Sequence, residues 1–149
     1  MTSRLPGSTS EQQPFFSSSG VQLLQELPQV RLSYDATNGW LYADWYGAQT
    51  AATMRAGSEM LIAAVASGKY TKLLNDNTHL TVMAVTSPEW DALHVLPQLI
   101  SAGLQYLAWV YSPDQQSRQY TDYAVNRSPY PFVLTFEEYN MAAEWLRQF

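Results

Sequence analysis

A chain of 149 residues and 16.8 kDa amounts to one domain. Its 46% hydrophobic and 14% charged content can build a core and excludes global disorder. A net charge of −5 and a pI near 4.8 leave no basic face to track phosphates, which excludes a nucleic-acid binder.

The absence of cysteine removes disulfide scaffolds, thiolate metal sites and cysteine nucleophiles. The longest weakly polar run, Met60 to Ala66, is far shorter than the roughly 18 apolar residues that span a bilayer. No apolar signal region follows Met1, so a cytoplasmic protein is expected.

Residues 1–20 carry Ser3, Ser8, Ser10, Ser17, Ser18 and Ser19 and show no hydrophobic periodicity, which predicts a disordered leader. Phe15-Phe16 is its one apolar feature. A single domain is expected over residues 21–149. From Val30 the alternation Val30-Arg31-Leu32-Ser33-Tyr34 predicts a half-buried strand. Asn38-Gly39 suits a tight hairpin turn, and Trp40 to Tyr46 supplies the aromatic-rich return strand.

Residues 50–67 read as a helix, with Thr50 as N-cap and Gly68 closing it. Tyr70 to Asn75 predicts a buried strand that ends in a polar loop, Asn75-Asp76-Asn77-Thr78-His79, and Leu80 to Val85 a second short segment. Thr86-Ser87-Pro88-Glu89 starts a helix that should run to about Ala102 with a kink near Pro97. Leu104 to Tyr111 is the clearest buried strand, and Ser112-Pro113-Asp114 opens another helix. Phe132-Val133-Leu134, flanked by Pro129 and Pro131, predicts an edge strand, and the last helix follows Thr135. Repeated helix-then-strand units after a hairpin define an α/β fold with a mostly parallel sheet.

Chemical signatures are sparse. Phosphate-binding glycine motifs and the GxSxG elbow are missing. His79 and His94 stand fifteen residues apart without metal-ligand spacing, so no metal or cofactor is expected. A triad from Ser87, a histidine and Asp76 could be assembled only by selection, and capping explains Ser87. The loop Asp76, Asn77, Thr78 and His79 has two readings. It can be a ligand loop beyond the carboxyl end of a strand, or a turn whose side chains tie up its own amides. Twenty aromatic rings exceed what a small domain buries, so Trp90, Tyr111, Tyr120 and Tyr123 are expected to form an exposed patch.

The stretch from Val30 to Phe149 resembles the small STAS-like proteins of bacteria, particularly those of the Bacteroidetes. STAS denotes the sulfate-transporter and anti-sigma-factor-antagonist domain. The likeness rests on "VRLSYDATNGWLYADWYG", "KLLNDNTHL", "GLQYLAWVYS" and "FEEYNMAAEWL" in that order.

The resemblance implies a four- to five-stranded sheet with helices packed against it, and a non-enzymatic regulatory or protein-interaction role, with a homodimer expected. It also implies a phosphorylated serine in a D-S-S-G-type motif before a helix. The corresponding Val82 to Pro88 lacks that aspartate and glycine, leaving Thr86 and Ser87 as candidate positions. The alternative is a small-molecule or lipid-binding domain with an apolar pocket between sheet and helices, lined by Trp90, Trp109 and Tyr111. An enzyme centred on Asp76, Thr78 and His79 ranks third.

Overall fold

The N-terminal half is organised by pairing between neighbours in sequence. In the computed structural model, which describes residues 20–127 and 132–149, β1 (Val21–Leu27), β2 (Val30–Asp35) and β3 (Trp40–Thr50) form an antiparallel meander. The expected leader with Phe15-Phe16, and Pro129 and Pro131, lie outside the described residues. Gly39 closes the β2–β3 turn at φ 79°, a left-handed value that a residue without a Cβ adopts freely. Asp35 holds this turn through both carboxylate oxygens, accepting from the Asn38 amide at 3.0 Å and the Asn38 side chain at 2.8 Å.

From β3 onward the chain alternates: α1 (Ala51–Ala66), β4 (Lys72–Ala84), α2 (Ser87–Leu93), α3 (Val95–Ser101), β5 (Tyr106–Val110), α4 (Gln115–Asn126), β6 (Val133–Phe136) and α5 (Tyr139–Leu146). The sheet order is β1-β2-β3-β4-β5-β6, with parallel pairing from β3 to β6. The three crossovers all advance in one direction. With the right-handed connection that twisted strands impose, every crossover helix then falls on the same face.

The packing agrees: Met54 and Leu61 of α1, Trp90 of α2, Leu96 and Leu99 of α3 and Tyr120 of α4 share one core with Leu41, Leu73 and Leu107. Among the described residues only α5, which follows the last strand, covers the other face. It buries Ala142, Ala143 and Leu146 against Trp40, Leu74, Ala108 and Val110. No helix among the described residues is long and apolar enough to cross a membrane.

The structure corrects four sequence expectations. The sheet has six strands, because β1 joins the edge of the expected four or five. Its sequence VQLLQEL lacks strict alternation, and pairing with β2 carries it through a bulge between Leu23 and Gln25.

The polar run Asn75 to His79 is the middle of one 13-residue strand, β4, and not a loop between two short segments. Parallel pairing with β3 along most of its length satisfies the backbone where the side chains alone would suggest a turn. The helix after Thr86 breaks at His94, whose φ of 48° is the left-handed value at the α2–α3 junction. Pro97 falls in the first turn of α3, where a missing N–H costs nothing.

Finally, Trp90 is 8% exposed and stacks on Tyr120 at 5.2 Å, so it belongs to the core and not to an exposed patch. Tyr123 of the expected patch is exposed (44%), and the other exposed aromatics lie elsewhere. Phe132 (45%) and Phe149 (46%) cluster around Tyr106 at the β6 edge.

Candidate functional site

Strand alternation divides the polar run of β4 between the two faces of the sheet. Asn75 and Asn77 point into the helix-covered core, where Trp45 Nε1 donates to Asn75 Oδ1 at 2.7 Å and Asn75 Nδ2 to Asn77 Oδ1 at 3.4 Å. Asp76, Thr78 and His79 turn to the opposite face. The register slips between the Asp44–Asp76 and Tyr46–His79 pairs, so β4 carries one extra residue there and His79 reaches the same side.

On that face, next to α5, they line an open groove of about 500 Å3 with Asp35, Tyr42, Glu138 and Tyr139. Tyr42 Oη donates to Asp76 Oδ2 at 2.6 Å, and the Thr78 hydroxyl and amide both donate to Asp76 Oδ1. Tyr139 meets the Tyr42 ring edge-on at 5.6 Å. His79 Nδ1 stands 3.5 Å from Asp44 Oδ1, so its acidic neighbour is Asp44 and not Asp76.

The groove is acidic. Burial raises the Asp44 carboxyl above its ordinary value, the facing His79 opposes that, and the nearby Asp76 charge adds to it. Burial first and the hydrogen bond to Asp76 second hold the Tyr42 phenol protonated far above its ordinary value. Burial, with Asp35 nearby, also raises Tyr139. Neither phenol is poised to give up a proton, so Tyr42 serves as a hydrogen-bond donor and both rings as aromatic walls. Glu137, at the rim, is held below its ordinary value by the two-pronged Arg118 guanidinium, at 2.7 and 3.2 Å. The arrangement can hold a cationic group against carboxylates and two rings. No group of His, Asp and Glu able to hold a metal ion occurs among the described residues.

The remaining candidate residues lie apart from this groove. Thr86 caps α2: its hydroxyl accepts from the Glu89 amide at 3.3 Å, and Glu89 Oε1 accepts from the Thr86 amide at 2.9 Å. These amide hydrogen bonds and Thr86's hydroxyl hold the Glu89 carboxyl below its usual range. Ser87 is exposed beside it.

Tyr111 follows the end of β5, its ring under the Arg118 guanidinium at 4.2 Å and its hydroxyl donating to Asp122 and lying 3.1 Å from Thr135 Oγ1. Trp90 lines a core cavity with Trp109, but Tyr111 takes no part in it. Sequence reasoning missed Asp35, Tyr42 and Tyr139, which arrive from β2, β3 and α5. The alternation of Tyr42 and Asp44 along β3 was the one available signal.

The solved structures with this architecture are proteins of known fold. The chain is similar to the Bacillus cell-fate determinant SpoIIAA in its phosphorylated form, at 15% identity and a TM-score of 0.52, over 78% of this chain and 98% of that one. It is similar to the anti-sigma factor antagonist SpoIIAA in its unphosphorylated form, at 15% identity and a TM-score of 0.54, over 80% and 97%. An uncharacterised Shewanella loihica protein of the DUF3478 family, with a SpoIIAA-like fold, matches at 18% identity and a TM-score of 0.53, over 83% and 98%. No family model and no curated protein sequence matches. The fold is therefore STAS-like: an antiparallel N-terminal hairpin, parallel strands and flanking helices.

Proposed function

We propose that this chain is a non-enzymatic regulatory module that acts by binding a protein partner, in the manner of the anti-sigma factor antagonists whose fold it shares, and that it works in the cytoplasm. The acidic, tyrosine-walled groove on the face left open beside α5 carries this reading. Its Glu138 carboxylate, with the negative potential of the buried Asp35 and Asp76 behind it, suits a basic segment of the partner. The Tyr42 and Tyr139 rings supply the rigid aromatic contact common in protein interfaces. The triad reading is set aside because His79 faces Asp44 and His94 lies across the sheet from Asp76.

Ser87 is the better of the two candidate phosphorylation positions, since Thr86 is engaged in a cap and Ser87 is exposed. A phosphate there would have to displace the Glu89 carboxylate that already occupies the start of α2, so the modification is a secondary part of the reading. The test is site-specific photocrosslinking in the native host, with benzoylphenylalanine placed at His79, at Ser87 and at the exposed Glu144 further along α5. One defined protein adduct at position 79, lost on Asp76→Asn and weakened by salt, is expected. No adduct at 79 or 87, or an adduct at 144 alone, defeats the reading.

A further inference from the structure

We propose that the groove between α3 and α4, floored by Trp109, binds a small flat aromatic acid carrying a hydrogen-bond acceptor at the end remote from its carboxylate. This site lies on the helix-covered face, opposite the acidic groove, and does not depend on it.

Trp109 stands on β5 as the wall shared by an internal cavity of about 30 Å3 and an open groove of about 450 Å3. The cavity has room for about two waters and the groove is ligand-sized. The Trp109 indole is 6% exposed, and its Nε1 has no hydrogen-bond partner. An indole N–H can only donate, so the site lacks an acceptor. Ser58 Oγ, 4% exposed on α1 and lining the same cavity, is also unpaired. Two buried polar groups without partners beside one cavity call for an outside group, because native interiors leave few such atoms unmatched.

The groove walls are flat and apolar, with Trp90, Leu96 and Tyr123 around Trp109. At its mouth Arg127 lies over the Tyr123 ring at 4.8 Å and has no carboxylate partner among the described residues, while Asp91 and His94 flank the opening. An aromatic body laid against Trp109 and Tyr123, an acceptor directed to Trp109 and a carboxylate directed to Arg127 would match the groove, with Ser58 left to a water in the small cavity. The mouth is preformed. The helix break at His94 is held by the Gln98 side chain, which donates to the Leu93 carbonyl at 2.7 Å and the His94 carbonyl at 3.2 Å.

The test titrates the full chain with 6-acetyl-2-naphthoate, 2-naphthoate and 2-acetylnaphthalene, reading affinity by calorimetry and the Trp109 indole resonance by NMR. The first probe is expected to bind about tenfold more tightly than either of the others and to shift the Trp109 N–H resonance. Trp109→Phe should erase the preference for the acetyl group, and Arg127→Gln the preference for the carboxylate. Equal affinities for all three probes, an unmoved Trp109 resonance, or a long-lived water on Trp109 with no probe bound would overturn the proposal.

Discussion

Gly57 shows how one residue can decide how closely two elements pack. It lies in α1, where a helix interior normally disfavours glycine by about 1 kcal/mol relative to alanine. An added Cβ would stand 2.3 Å from Trp45 Cη2 and 2.7 Å from its Cζ3, so the glycine lets the helix rest on the indole. Propensity and packing therefore oppose each other at this position, and packing prevails, because the indole is wedged between α1 and the sheet and anchored by Asn75. Gly57→Ala is expected to destabilise the fold by about 1–3 kcal/mol in urea unfolding, despite the helix-favouring change. A neutral or stabilising result would show that α1 can shift outward at little cost.

The Asp44 carboxyl provides a residue-scale pH prediction. Because burial raises its folded value, protonation favours the fold. The proton-linked stabilisation is complete below the ordinary carboxylate range and is lost as pH rises through the raised folded value. Asp44→Asn is therefore expected to be more stable than the parent at pH 7, the gap closing below about pH 3.5. Denaturation midpoints at the two pH values check this. A variant less stable at pH 7 would mean that the His79 contact outweighs burial.

Among the elements, α2 is the one whose start was most legible. Thr86, Pro88 and Glu89 make a capping box with proline in the first turn, and the structure contains both reciprocal hydrogen bonds. Thr86→Ala should cost about 0.5–2 kcal/mol, whereas Ser87→Ala should change stability little. Thermal unfolding of the pair separates the cap from its exposed neighbour. Equal losses would give Ser87 a structural role and weaken it as a modification site. The end of the same helix was not legible. Proline marks a local backbone limit, but the break came one turn earlier, where His94 adopts a left-handed conformation and Gln98 recovers the freed carbonyls.

At the scale of the whole molecule the two sheet edges differ. The β1 edge exposes Leu23 (36%) and Leu24 (38%) but carries charge in Glu26, paired with Arg31 of β2, while β6 exposes Leu134 (42%) beside the Phe132 and Phe149 rings. An apolar edge strand invites pairing with a second copy. The homodimer expected from the sequence resemblance would use this edge, and light scattering should then give twice the 16.8 kDa chain mass. Leu134→Lys is expected to return a monomer. A monomeric parent protein would overturn the expected dimer and leave the acidic-groove proposal unaffected.

The sequence by itself determined the hairpin turn at Asn38-Gly39, the cap at Thr50, the helix start at Thr86-Ser87-Pro88-Glu89 and the α/β class, but not β1, the unbroken β4 or the division between α2 and α3. Each feature it determined depends on residues within a few positions of one another, and local propensity and periodicity act at that range. The tertiary structure decided what the local pattern leaves open. Asn75 to His79 reads as a loop in isolation and is a strand because β3 pairs with it. Trp90 reads as a surface ring and is buried because Tyr120 arrives from α4. The acidic groove joins side chains from β2, β3, β4 and α5, whose meeting depends on the handedness of three crossovers and on α5 taking the face the other helices leave free.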